Sequence, residues 1–254
     1  MRPRFGRKPR QPYMDFQDYL ADLSAAAPRD GVVAFFDLDR TLISGYSVTA
    51  LAWERVRSRS VSVRRMLSQA GVFVGYGLGR TDYHDLLEST VADLAGVSEA
   101  EMVRLGEQAF HRRVRGWIYQ EARVLLELHR RKGHQIVMVT SATRYQATPI
   151  ARALGVEHLY CTELEVAAGR ITGRAEPCFG AGKLAAAERF VERSGTDLRR
   201  AFFYSDSSDD LPLLEAVGQP VAANAKLALA RLAAERGWPS LVFGADDHDG
   251  QEAA

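Results

Sequence analysis

The chain has only two cysteines in 254 residues, Cys161 and Cys178. Two cannot build a disulfide framework, and their spacing fits no zinc motif. Both are read as reduced thiols of a cytoplasmic protein. No apolar run reaches the roughly 18 residues that span a bilayer, so no transmembrane segment is expected. The N-terminus has no apolar h-region, which argues against a secretory leader. Net charge is only +1. No overall field therefore draws the chain to nucleic acid, and no such partner is expected. His84, His111, His129, His134, His158 and His248 show no ligand spacing and receive no role.

What charge there is lies unevenly. Residues 1–10 hold five Lys or Arg and no acid. Residues 1–14 read as a disordered basic arm, and the small, acidic residues 244–254 as a flexible tail. Between them the composition is that of an ordinary globular protein, long enough for one large domain or two unequal ones.

The informative stretch is Val32-Val33-Ala34-Phe35-Phe36-Asp37-Leu38-Asp39-Arg40-Thr41. Five apolar residues predict a buried strand. Burying carboxylates beside it is costly, so Asp37 and Asp39 belong just past its carboxyl end, where open parallel sheets bind ligands. Two more strand-like runs end in the same way. Ile136–Val139 leads into Thr140-Ser141, and Ala201–Tyr204 into Ser205-Asp206-Ser207-Ser208-Asp209-Asp210. Between them stands Lys183, in Gly180-Ala181-Gly182-Lys183-Leu184.

Helical periodicity predicts helices at residues 15–27, 48–56, 61–74, 81–94, 98–117, 119–132, 144–154, 184–194, 211–217 and 227–237. Ser98 with Glu101 matches a capping box. Residues 162–166 and 170–173 read as a hairpin. Residues 220–222 read as a last core strand and 240–243 as an edge strand. Strands alternating with helices predict an α/β fold with a largely parallel sheet covered on both faces.

Together the motifs D-x-D-x-T, a strand ending in Thr or Ser, a lone Lys and an acidic D-x3-D resemble the haloacid dehalogenase superfamily of phosphohydrolases. Within it they resemble subfamily IB and its phosphoserine-phosphatase branch. The resemblance spans residues 31–224. It implies a Rossmann-like core over residues 15–43 and 118–243, and an inserted C1-type helical cap over 44–117. It implies a Mg²⁺-dependent phosphatase that forms an aspartyl-phosphate. Asp37 would be the nucleophile and Asp39 the acid–base group. Lys183 would hold the nucleophile and the phosphoryl charge, and Thr140, with Ser141 beside it, would bind phosphoryl oxygens. Mg²⁺ would sit on Asp37, the main-chain carbonyl of Asp39, and Asp206. Thr41 would orient Asp39 or its loop, or act as an N-cap. Asp210 matches the motif's second acid, with Asp209 its rival.

The resemblance implies a small-molecule phosphate ester as substrate. Phosphoserine phosphatases carry an acid a few places after the motif's Thr; here Leu42-Ile43-Ser44-Gly45-Tyr46-Ser47 has none. Tyr46 takes about that place and points to a less polar organic group or to packing at the cap. The apolar, glycine-rich residues 66–79 serve as cap core, a homodimer contact or access for a lipid-like phosphate. Phosphoryl transfer, lipid-phosphate hydrolysis and a non-catalytic phosphate-binding scaffold stand as alternatives.

Overall fold

The computed structural model describes residues 13–26, 31–59 and 83–244. Seven strands form one sheet. They are β1 (Val33–Phe36), β2 (Gln135–Thr143), β3 (His158–Ala167), β4 (Arg170–Glu176), β5 (Phe202–Ser205), β6 (Gln219–Ala223) and β7 (Ser240–Leu241). Their order is β4-β3-β2-β1-β5-β6-β7. All neighbours run parallel except the β3–β4 hairpin. The chain builds outward from β1 on one side, then returns to its other side with β5. The switch point therefore lies at the carboxyl ends of β1 and β5.

Strand β1 has four residues, all buried. Its side chains alternate between two cores with period two. Ala34 and Phe36 face a core that takes in α1 (Phe16–Ala25), α5 (Gln120–Arg131) and α6 (Arg144–Ala153). Val33 and Phe35 face a core with α7 (Ala181–Ser194), α8 (Leu211–Ala216) and α9 (Leu227–Arg236). Phe35, Phe36 and Phe203 are essentially inaccessible to solvent; each contributes roughly 1.5–3 kcal/mol by leaving water. That burial on both faces is why the strand reads as a continuous apolar run.

Between β1 and β2 lie α2 (Ser47–Arg57), α3 (Tyr83–Ala92) and α4 (Glu99–Arg112). Leu51, Val91, Met102 and Leu105 pack with Tyr145, Leu164 and Ile171 in a third core. This insertion leaves and returns at one place. Ser44 N donates to Trp117 O (2.8 Å) and Tyr119 N to Leu42 O (3.1 Å). The Trp117 ring lies so close that a Cβ on Gly45 would sit 2.8 Å from it. Gly106 lets α4 close on α6, since a Cβ there would meet the Tyr145 carbonyl oxygen at 1.9 Å. The helix expected at residues 61–74 lies outside the described residues, as do residues 66–79.

Some expected ends shift. The helix read at 98–117 stops at Arg112, and a 3₁₀ turn, Val114–Trp117, carries the chain back to Gly45. Ser98 holds the N-cap position but makes no side-chain cap bond. The Glu99 N–H finds the Gly169 carbonyl instead (2.9 Å), so the β3–β4 turn does the capping. Strand β2 runs on to Thr143 through a register shift after Val139, so Thr140 and Ser141 lie within it. At the N-terminal side Met14 N already donates to Ser240 O (2.9 Å).

Beneath β5 is a polar chain drawn from three segments. His134 Nδ1 lies 2.7 Å from His129 Nδ1, and His129 Nε2 lies 2.8 Å from the Tyr204 hydroxyl. That hydroxyl is 2.7 Å from the Tyr19 hydroxyl. Burial first, then the charges on His134 and Lys132, hold the His129 pKa down to about 3. The unfolded imidazole takes up a proton near 6.5, whereas the folded one stays neutral, so this group destabilises the fold as pH falls below about 6.5. Relative to His129→Gln, the wild type is expected to lose about 2 kcal/mol between pH 7 and pH 5 in urea unfolding. Equal losses in the two proteins would overturn the assignment.

Candidate active site

Asp37 follows the last residue of β1, and its N–H continues the ladder to Tyr204 O (3.0 Å). Asp206 follows the last residue of β5. The two carboxylates therefore flank the switch point. Asp37 is 5% exposed and Asp206 3%. Burial raises the pKa of both, and each carries a repulsive contribution from another carboxylate: Asp210 on Asp37, and Asp37 on Asp206.

A cation offsets this at each: Lys226 at Asp206 and Lys183 at Asp37. Lys183, in the first turn of α7, is 3% exposed. Its Nζ lies 2.6 Å from Asp37 Oδ1 and 2.8 Å from Asp210 Oδ2. Burial alone would lower its pKa, but Asp210 and Asp37 outweigh burial and hold it raised, so the ammonium stays charged. Asp210 is fixed in turn by the Ser205 hydroxyl, 2.6 Å from Oδ2. Asp209 is exposed and bonded to Ser207 (3.0 Å), so Asp210 is the acid that faces the lysine.

Asp39 lies past a sharp reversal. Arg40 adopts φ 65°, a left-handed conformation that costs a non-glycine residue of order 1 kcal/mol or more. Three contacts hold it there. Arg40 N donates to Gly45 O (3.3 Å), its guanidinium to Ser44 O (3.0 Å), and Asn224 Nδ2 to Arg40 O (3.2 Å). The reversal brings the Thr41 hydroxyl back to Asp37 Oδ2, at 3.5 Å. Of the roles expected for it, the hydroxyl thus faces the Asp37 end of the loop and not Asp39, and it caps no helix: Tyr46 holds the N-cap position of α2. Asp39 is held by Ser47 instead, through N–H to Oδ1 (2.8 Å) and hydroxyl to Oδ2 (3.2 Å). Burial pushes the Asp39 pKa up to about 7 against the Ser47 N–H, with Asp37 adding to the rise.

Thr140 is 1% exposed; its hydroxyl accepts from Ala142 N (3.1 Å) and keeps a proton to donate. Ser141 is half-buried, and its carbonyl accepts from the Thr162 hydroxyl (2.8 Å). Tyr46 is 44% exposed, with Lys226 Nζ 5.9 Å from its ring centroid. Lys226 also lies 3.3 Å from Asp206 Oδ2. Cys161 and Cys178 are buried free thiols.

Among the described residues, no three His, Cys, Asp or Glu side chains converge on one point. A hard divalent cation fits here on other grounds. Asp206 Oδ2 is buried with Lys226 Nζ beside it at 3.3 Å, and the Asp37 carboxylate repels it; carboxylate oxygens brought together in this way are the ligands such ions take.

A doubly wound sheet with a lysine-bridged carboxylate at its switch point, in a chain whose relatives are named phosphatases, is that of a phosphoric monoester hydrolase. The chain belongs to the haloacid dehalogenase-like hydrolases, a family matched over residues 34–215. It is similar to phosphoserine phosphatase SerB1 of Mycobacterium tuberculosis (strain ATCC 25618 / H37Rv), 33% identical over 85% of this chain and 70% of that one. It is similar to a histidinol-phosphatase of Neisseria meningitidis serogroup C (strain 8013), 30% identical over 83% of this chain and 98% of that one. A structure from Bordetella pertussis Tohama I, of unknown function, superposes with TM-score 0.75 at 31% identity, covering 83% and 97% of the two chains. A substrate-bound phosphoserine phosphatase shares the fold, with TM-score 0.64 at 17% identity over 85% and 94%.

Serine, glutamine and asparagine supports were absent from the sequence reading. Ser47 opens an ordinary helix, Gln146 sits inside another, and Asn224 follows a short strand. Only the buried status of Ser47 and Gln146 marks them.

Proposed function

We propose that the chain hydrolyses a small organic phosphate monoester through an aspartyl-phosphate on Asp37, with Mg²⁺ as its metal. The Lys183 bridge between Asp37 and Asp210 is the observation that supports this most. A buried carboxylate stays ionised only with a cation beside it, and only the ionised form attacks phosphorus. Asp37 attacks, the bond from phosphorus to the alcohol oxygen breaks, and Asp39 gives that oxygen its proton. Asp39 then takes a proton from the water that attacks the aspartyl-phosphate, which releases phosphate and restores Asp37. Thr140 and Lys183 hold phosphoryl oxygens, with Ser141 the second hydroxyl. Asp37, the Asp39 carbonyl and Asp206 hold Mg²⁺, which when bound supplies Lewis-acid charge at the phosphoryl oxygens.

In this reading residues 44–117 act as the cap over a core of 15–43 and 118–243, in a cytoplasmic protein. Tyr46, exposed at the mouth, meets the leaving group. Among the described residues no helix is long and apolar enough to cross a membrane. The test is phosphate release from phosphoserine, histidinol phosphate, sugar phosphates, nucleotides, phosphocholine and lysophosphatidate. Release is expected to stop on chelation and to return with added Mg²⁺. Folded protein that releases phosphate from none of them, with Mg²⁺ present, rules the proposal out.

A further inference from the structure

Both oxygens of Asp39 are held by Ser47, the first residue of α2. Ser47 is 2% exposed, so bulk solvent does not reach this contact. Its hydroxyl has a second partner, Gln146 Nε2, at 3.2 Å. Gln146 belongs to the first turn of α6 and is 7% exposed. Its own orientation is fixed from behind. The Thr143 N–H (2.9 Å) and the Thr143 hydroxyl (2.6 Å) both donate to Gln146 Oε1.

These contacts have one consistent direction. Two donors on Oε1 fix that end of the amide as the oxygen, so Nε2 faces Ser47. The Ser47 oxygen accepts from Nε2, so its single proton goes to Asp39 Oδ2. The chain runs from Thr143 through Gln146 and Ser47 to Asp39 and stops there. It crosses from α6 to the inserted helix α2. Thr143 and Gln146 also follow Thr140 within six residues, so one segment sets both the phosphate-side hydroxyl and this relay.

We propose that Gln146 is a positioning residue for Asp39, acting through the Ser47 hydroxyl to aim the Asp39 carboxyl at the ester oxygen. The inference rests on the phosphatase reading, in which Asp39 protonates the leaving alcohol. A hydroxyl free to rotate would let Asp39 turn as well. Displacement of an acid by about 1 Å costs up to roughly 10²-fold.

Leaving-group dependence separates positioning from packing. An alkoxide leaves poorly without a proton, whereas 4-nitrophenolate leaves with little help. Turnover of glycerol 2-phosphate and of 4-nitrophenyl phosphate would be compared in the Mg²⁺-loaded full chain. Gln146→Leu is expected to lower kcat/KM, which reports the steps up to loss of the alcohol, about 10- to 100-fold on the first and less than about 3-fold on the second. Gln146→Glu keeps the acceptor for Thr143 and the side-chain length but has no N–H for Ser47. It is expected to behave alike, and serves if Gln146→Leu does not fold. Ser47→Ala is expected to show the same pattern, and adding Gln146→Leu to it to change nothing further.

Equal losses on both esters, or losses that multiply in the double variant, overturn the proposal. Asp39→Asn distinguishes this from failure of the underlying reading. If that variant loses kcat/KM on the two esters equally, Asp39 is not the acid, and both ideas fall. If it shows the leaving-group pattern and the Gln146 variants do not, only the role of Gln146 falls.

Discussion

Asp37→Asn is expected to retain the fold and lose the reaction. Asparagine keeps the shape of the side chain, and its oxygen still accepts from Lys183, which sits 2.6 Å from Asp37 Oδ1. Lys183 also keeps Asp210 as its counter-charge. The substitution removes a buried carboxylate that burial already disfavours, so the unfolding free energy from urea titration should change by no more than about 1 kcal/mol. The nucleophile is gone, however, because a neutral amide does not attack a phosphate ester. Loss of such a group costs about 10⁴-fold or more in kcat. Two measurements check this. Phosphate release should fall to background while circular dichroism and the unfolding midpoint stay near wild type. Acid quenching during turnover of a ³²P-labelled ester should leave label on the wild-type chain and none on the variant. A variant that keeps a tenth of the wild-type rate would show that the attack comes from elsewhere, with Asp206 the next carboxylate in reach of the site.

The strands that position this site were legible because their physics is local. Val33–Phe36 is apolar without interruption because both its faces are buried, and a carboxylate after such a run has to emerge at a sheet end. The same reasoning located Asp206 after β5, and the order of those motifs carried the family. Distances between segments were not legible. Sequence leaves Thr41 open between Asp39, its loop and an N-cap; left-handed Arg40 folds the chain back and delivers the hydroxyl to Asp37. Ser47 and Gln146 are 99 residues apart, and each stands in a helix whose apolar pattern gives no hint of a polar partner. The same holds for His129, His134, Tyr204 and Tyr19. Their chain closes only when α1, α5 and β5 pack together, and an apolar helix face that includes a histidine predicts burial but no partner. The Ser98 capping box failed for a related reason. The motif is satisfied locally only when no tertiary carbonyl competes, and here the β3–β4 turn supplies one.

Lys183→Met is expected to lose activity and stability together, which separates it from Asp37→Asn. Lys183 is the cation between two buried carboxylates, Asp37 and Asp210. Removing one partner of a buried ionic cluster leaves uncompensated charge and costs about 3–5 kcal/mol. That is a large fraction of the 5–15 kcal/mol that holds a typical domain together. The sign of its pH dependence follows from the same groups. Without the lysine, burial and the neighbouring Asp210 raise the Asp37 pKa in the fold further above its unfolded value near 4. A group raised in the fold contributes stability at low pH and loses it as pH rises through its folded pKa. The deficit against wild type should therefore be larger at pH 8 than at pH 5.5. Methionine matches the lysine stem in bulk, so packing loss is a small part of the effect. The double variant Lys183→Met/Asp210→Asn isolates the remainder. With one carboxylate neutralised, the repulsion within the pair disappears, and most of the lost stability is expected to return. Activity is not expected to return, because Asp37 still lacks the ammonium that keeps it ionised and steadies the phosphoryl charge. If stability and activity came back together, Lys183 would be a structural counter-ion with no part in the chemistry. If neither returned, repulsion between Asp37 and Asp210 would not be the source of the lost stability. Recovery of the fold alone identifies the ammonium at 2.6 Å from Asp37 as the charge on which the nucleophile depends.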